Sequence, residues 1–143
     1  METDGLYSDL IISRAKSPLY AGDLADVTVR GEGRNPVCGD RVRLSLKCEG
    51  LRIDALAHQT RGCAVCIASA DLLAGLVTGW NRDEALAAGQ VFTDMFSDGT
   101  VPAADDMPDA FRVFFPLRQH RARIGCATLP WTALKEALSD ARS

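Results

Sequence analysis

The pattern of apolar residues predicts an α+β protein: a small three-stranded antiparallel sheet with helices packed on one face. Two observations carry this prediction. Between residues 26 and 58 the apolar side chains recur at every second position, the period of strands with one wet face. From residue 63 onward the period lengthens to that of a helix. Strands followed in sequence by helices place the helices over the apolar side of the sheet.

Each element follows in order. Residues 6–15 have a helical pattern, with Leu6, Leu10, Ile11 and Ile12 as its apolar face, and Pro18 stops it. Residues 26–30 form the first expected strand, with Val27 and Val29 on one side. Residues 41–48 alternate cleanly, placing Val42, Leu44, Leu46 and Cys48 inward and Arg41, Arg43, Ser45 and Lys47 outward. Residues 51–58 put Leu51, Ile53, Ala55 and Ala57 on one side and Arg52, Asp54 and His58 on the other, which gives His58 a rim position. Glu49-Gly50 suits a tight hairpin turn between the last two strands.

The stripe Cys66, Ala70, Leu73 and Val77 defines a helix that Gly79 is placed to end. Residues 82–96 read as a further helix, residues 97–108 as a polar loop and residues 109–117 as a short helical segment. Residues 128–141 are expected to form the closing helix, with Thr128 as N-cap and Pro130 in the first turn. Trp131 reads as a core anchor. Asp105 and Asp106 read as a solvated loop and His120 as a surface residue.

At 143 residues and 47% hydrophobic, the chain has the size and composition of one domain, residues 1–143, with a core of its own. Its net charge of −3 and pI near 5.3 argue against a nucleic-acid binder, which needs a basic face. The local cluster Arg118, Arg121 and Arg123 reads as solvated surface. No apolar run approaches the length of a membrane span, and the first residues, METDGLYSDL, lack the layout of a secretory signal. A cytoplasmic location is expected, and there five cysteines point to metal or thiol chemistry rather than disulfides.

Three of those cysteines fall at junctions between elements: Cys38 in NPVCGD, Cys63 in RGCAVC and Cys126 in RIGCATLPW. Junctions gather at the ends of a sheet, so the three thiols can converge. Asp40 follows Cys38 across Gly39, and a glycine there lets thiolate and carboxylate face one point; capping a turn is the plainer alternative for Asp40, and the ligand reading is preferred. Three sulfurs and one oxygen suit tetrahedral zinc, and such a site, net negative, needs nearby donors or positive charge. The start of the helix after Cys63 and Arg123 offer these. Cys48 reads as core. Cys66 lies on the apolar stripe and reads as packing rather than as the second half of a redox pair.

NPVCGD, RGCAVCIASADLL and RIGCATLPWTALKEAL together resemble the SufU-type members of the IscU/NifU-like family of iron–sulfur cluster assembly proteins. The resemblance spans nearly the whole chain, with the three motifs in family order. Gly125 replaces the histidine that IscU-type proteins carry before the third cysteine, and no LPPVK stretch occurs. Residues 80–115 resemble the SufU-type insertion, and Cys126 to Trp131 the branch signature. Two positions depart from the branch: Cys66 stands where a small residue is usual, and Gly125 where a basic one is.

The resemblance implies an IscU/SufU-like fold in which Cys38, Asp40, Cys63 and Cys126 hold zinc and Cys38 accepts sulfur. It further implies a zinc-dependent sulfurtransferase that takes persulfide sulfur from a PLP-dependent, SufS-type cysteine desulfurase and passes it to downstream iron–sulfur assembly proteins. The alternative is a scaffold holding an iron–sulfur cluster on the same ligands. A dithiol oxidoreductase using Cys63 and Cys66 ranks third.

Overall fold

In a computed structural model of the protein, residues 9–36, 39–98 and 109–139 are described. Helix α1 spans Asp9–Lys16, followed by strands β1 (Val29–Asn35), β2 (Asp40–Glu49) and β3 (Arg52–Arg61). Helices α2 (Ala64–Val77), α3 (Arg82–Asp98) and α4 (Asp109–Arg112) come next. A 3₁₀ turn over Phe115–Gln119 then leads into the last helix, α5 (Arg121–Ser139). The strands form one antiparallel sheet in the order β1-β2-β3, with helices against its apolar face as expected. The expected start of the first helix, Cys38, the end of the closing helix and most of the polar loop, with Asp105 and Asp106, lie outside the described residues.

Three elements differ from the sequence reading. The first strand starts at Val29, not residue 26, because Asp26 sits in a left-handed turn with φ of 59° and cannot extend a strand. It also continues through Gly31 and Gly33. These glycines allow α5 to lie almost on the strand: a Cβ on Gly31 would fall 2.1 Å from the Ala133 carbonyl oxygen, and one on Gly33 2.9 Å from that of Leu129. Gly125 lies beside Asn35, where a Cβ would meet only the side-chain amide, at 3.3 Å from Nδ2. β1 and α5 therefore run side by side in opposite directions, and Gly125 arrives at the end of the strand.

The closing helix begins at Arg121, not at residue 128. Thr128 is not its cap but a mid-helix residue whose hydroxyl donates to the Ile124 carbonyl at 3.0 Å. Pro130 lies inside the helix. It supplies no N–H to the carbonyl of Cys126, one turn earlier, so the helix is locally opened there. Beside this point the Ser69 hydroxyl of α2 donates to the Ala127 carbonyl at 2.6 Å, tying α2 to α5.

The third difference is a bulge. Lys47 pairs with Ala55 but Cys48 pairs with Ile53, leaving Asp54 as an extra residue in β3. One extra residue reverses the facing of everything beyond it. Leu56 and His58 thus turn inward opposite Leu46 and Leu44, and His58 is buried rather than at the rim. The hairpin loop is Gly50-Leu51, one position later than expected, closed by the Glu49–Arg52 pair, with Gly50 at φ of 61°.

His58 meets a charged residue that the apolar pattern of α2 conceals. Asp71 is fully buried in α2 and accepts hydrogen bonds from Arg14 Nε (2.7 Å), the backbone N–H groups of Leu19 (2.9 Å) and Tyr20 (2.7 Å), and His58 Nε2 (3.0 Å). Burial raises the Asp71 pKa, but these donors outweigh it and hold the carboxyl below its ordinary value. Burial lowers the pKa of His58, which favours the neutral ring; with Nε2–H directed at Asp71, Nδ1 faces the Thr60 hydroxyl at 2.8 Å. This network fastens α1 and the segment after it to α2 and β3.

The remaining elements follow the sequence pattern. Cys66, Ala70, Leu73 and Val77 are all buried, and Gly79 at φ of 93° ends α2. α3 opens with a reciprocal cap, in which Asn81 Oδ1 accepts from the Glu84 N–H and Glu84 Oε1 from the Asn81 N–H, both at 2.9 Å. Phe92, Phe111 and Phe114 form an aromatic cluster with Trp131, whose ring lies 5.8 Å from Phe92 and 5.7 Å from Phe111. Phe92 of α3 and the Phe111–Phe114 segment are thus packed onto the last helix.

Candidate metal centre

Three of the four sequence-predicted ligands meet. Asp40 opens β2, where it pairs with Asn35 at the end of β1. Cys63 stands at the N-cap position of α2, two residues beyond the end of β3. Cys126 reaches the same point from α5, carried there by the close passage of that helix along β1. It lies within the helix rather than before it, as the sequence had suggested. One carboxylate oxygen of Asp40 and the two sulfurs lie within 4.8 Å of one another. Asp40 and Cys126 are buried and Cys63 is half-buried, so the cluster sits at the edge of the core with one side open.

The detailed geometry fits a cation. Cys126 Sγ lies 3.1 Å from Asp40 Oδ2 and donates to it. Ligands of tetrahedral zinc, at about 2.0–2.3 Å from the ion, stand about 3.3–3.8 Å apart. A modest opening of the cluster would therefore seat an ion. Burial, followed by hydrogen bonding to Asp40 and Cys63 and their charge, pushes the Cys126 thiol far above the ordinary cysteine range. Two sulfurs and a carboxylate crowded together would be mutually repulsive as anions, and a divalent cation is the partner that reverses this. The donor set suits zinc or iron.

The local sequence serves the approach. Gly62 precedes Cys63, and a Cβ there would lie 2.9 Å from Asp40 Cγ and 3.0 Å from Oδ1. The absence of a side chain at this position lets the carboxylate reach the sulfurs. Gly39, at φ of 77°, bends the chain into β2, its N–H donating to the Asn35 carbonyl at 2.8 Å. Cys38 falls outside the described residues.

Cys66 and Cys48 are not members of this three-residue group. Cys66 is fully buried in α2, consistent with packing, and Cys48 is half-buried near the far end of β2, its thiol pKa raised by burial. His120 is exposed. Arg118 is not simply solvated but lies over the Phe115 ring, 4.2 Å from its centroid. Among the described residues no helix is long and apolar enough to cross a membrane. The sequence reading missed Asp71 as an organising residue; the signal was a lone acid in the otherwise uncharged stretch of α2.

Comparison with known proteins agrees with this architecture. Residues 6–142 match the NifU-like N-terminal domain family. A zinc-dependent sulfurtransferase, SufU of Bacillus subtilis, is 32% identical over 95% of this chain and 91% of its own length. The iron–sulfur cluster assembly scaffold protein IscU of Streptococcus pyogenes is 32% identical over 93% of this chain and 82% of its own. Among solved structures, a SufU protein of Fervidobacterium islandicum AW-1, assigned as an iron–sulfur cluster assembly scaffold for the SUF system, superposes with a TM-score of 0.85 at 26% identity. That match covers 92% of this chain and 96% of the other. The N-terminal region of a NifU-like protein from Brucella abortus gives the same TM-score at 25% identity, covering 95% and 94%. With its three-stranded sheet, its packed helices and its Asp40–Cys63–Cys126 cluster, the chain belongs to the NifU-like N-terminal domain family of iron–sulfur cluster assembly scaffolds.

Proposed function

We propose that the protein is a zinc-dependent sulfur carrier, which accepts persulfide sulfur from a PLP-dependent cysteine desulfurase of the SufS type in the cytoplasm and passes it to downstream iron–sulfur assembly proteins. The observation that carries this reading is the meeting of Asp40, Cys63 and Cys126 at one point. Cys38, one residue beyond Gly39 from Asp40, would complete a set of three sulfurs and one oxygen. Bound zinc would supply a Lewis acid that keeps these thiols deprotonated and guards them from oxidation.

In the transfer, the Cys38 thiolate attacks the terminal sulfur of the donor's persulfide. A new S–S bond forms on Cys38, the donor's S–S bond breaks, and the donor cysteine leaves as a thiolate. No external oxidant is needed, because one persulfide is consumed for each one made. The roles divide by position. Cys63 and Cys126 are anchored by helices, whereas Cys38 lies next to a glycine in the left-handed conformation. The anchored residues retain the site while Cys38 reacts.

The similarity to a zinc-dependent sulfurtransferase supports this reading. Similarity to proteins named as scaffolds supports a second, in which the same residues hold an iron–sulfur cluster. Anaerobic purification separates them: a colourless protein containing one zinc per chain is expected, and a brown one containing iron and sulfide favours the scaffold. Incubation with a desulfurase and cysteine should add the mass of one sulfur atom to Cys38. Addition to Cys66 or Cys126 with Cys38 unmodified would refute the assignment.

A further inference from the structure

The sheet carries a feature that the metal centre does not use. The register places Arg34 of β1 opposite Arg41 of β2, and Arg41 opposite Arg61 of β3. All three point away from the core, since Val42 and Leu44 define the buried side of β2. They form a row of guanidinium groups straight across the sheet, with neighbouring Cα atoms about 4.5–5.5 Å apart. Like charges directly opposite one another destabilise a sheet. Arg34 is ion-paired with Glu32, but among the described residues neither Arg41 nor Arg61 has a carboxylate within ion-pair distance. One pair further along, Arg43 adds a fourth guanidinium, 3.9 Å from Glu32.

The row adjoins the candidate metal centre. Arg41 follows Asp40 directly, and Arg61 precedes Cys63 by two residues. A cleft of about 270 Å³ lined by Arg34, Arg41, Arg61, Asn35, Gly39 and Asp40 joins the two. On the other side Arg41 and Arg61, with Arg43, border a larger cleft of about 470 Å³. In a chain of net charge −3, this is a local positive strip that abuts the proposed reaction site.

We infer that the Arg34–Arg41–Arg61 row is the electrostatic docking strip for the sulfur donor, and that it engages an acidic surface beside the donor's persulfide-bearing loop. The inference rests on the sulfur-carrier reading and adds to it the orientation of the encounter. A positive strip steers an acidic partner and fixes its register. Placed along the rim of the metal centre, it presents the donor's sulfur to that rim rather than to another face. Nucleic acid is the poorer fit, because the row is short and the chain as a whole is acidic.

The test is transfer of ³⁵S from the cysteine desulfurase of the same organism, followed against chain concentration for wild type and the Arg41→Gln/Arg61→Gln double variant. It is run at about 0.1 M and about 1 M NaCl, where the Debye length falls from about 10 to about 3 Å. The double variant should need about tenfold more protein for half-maximal transfer at low salt, and should lose most of the wild type's salt dependence. Its zinc content should be unchanged and its melting temperature equal or higher, because a like-charge row has been relieved. Active wild type with an indistinguishable variant would overturn the docking strip alone. A variant that melts lower or loses zinc would show the row to be structural, which also overturns it. Wild type that takes no sulfur would overturn the carrier reading and the strip together. Retention of a single-stranded oligonucleotide by wild type but not by the variant would assign the row to nucleic acid instead.

Discussion

Replacing Gly62 with alanine tests how the candidate metal centre is assembled. The new Cβ would lie 2.9 Å from Asp40 Cγ and 3.0 Å from Oδ1. Carbon atoms pack at about 3.5 Å or more, so the carboxyl group must retreat by about 0.5 Å. Ligand distances in metal sites tolerate only about 0.2 Å. The substitution should therefore behave like loss of a supporting contact around a metal ligand and weaken zinc binding by about 10–100-fold, or about 1.4–2.7 kcal/mol. Gly62 itself is exposed and not in the left-handed region, so the metal-free protein should fold normally. Competition for zinc against a chromogenic chelator gives the affinity, and thermal unfolding of the metal-free protein provides the control. Wild-type affinity in this variant would mean that the Asp40 carboxylate, as the structure places it, is not a zinc ligand.

Other consequences follow from the packing. Gly31→Ala drives a methyl group into the Ala133 carbonyl and should cost about 1–3 kcal/mol or more by chemical denaturation, while Gly125→Ala, whose Cβ meets only the Asn35 side-chain amide at 3.3 Å, should gain up to about 1 kcal/mol of helix propensity. Equal effects would contradict the close passage of α5 along β1. Asp71→Ala removes the carboxylate that accepts from Arg14 Nε, two backbone N–H groups and His58, leaving Arg14, among the described residues, only the residue 71 carbonyl, and should cost about 3–5 kcal/mol, seen as a fall in melting temperature of about 10–15 °C. Because the folded pKa of His58 is lowered, the unfolded chain takes up a proton that the native protein refuses. Stability should hold above the unfolded value of about 6.5 and decline as pH falls from there toward the folded value, by at most about 1.4 kcal/mol per pH unit. Denaturation curves of His58→Gln should lack this slope, and their retaining it would assign it to another group.

Much of this was legible in the sequence because periodicity reports which face is buried. The alternation of Val42, Leu44 and Leu46 defined β2, and the change of period after Cys63 defined α2. The grouping of Asp40, Cys63 and Cys126 followed from placing Cys38, Cys63 and Cys126 at junctions between elements, with Asp40 just after Cys38, and from the family motifs, although Cys126 lies inside α5 rather than before it. What escaped the pattern was what one residue can alter. The extra residue Asp54 reversed the facing of His58, and alternation alone does not reveal a bulge. Pro130 suggested a helix start, yet packing against β1 sustains α5 through it. Gly31 and Gly33 look like strand breakers until the helix that needs their bare backbone is known.

The hydrogen bond between Asp40 and Cys126 joins residues 86 positions apart, and α5 settles against β1 only after every intervening element exists. During synthesis the first part of the chain can form its hairpins but cannot assemble this pocket. An ion held by all three residues at once would therefore report on a finished tertiary structure, with α5 already in place.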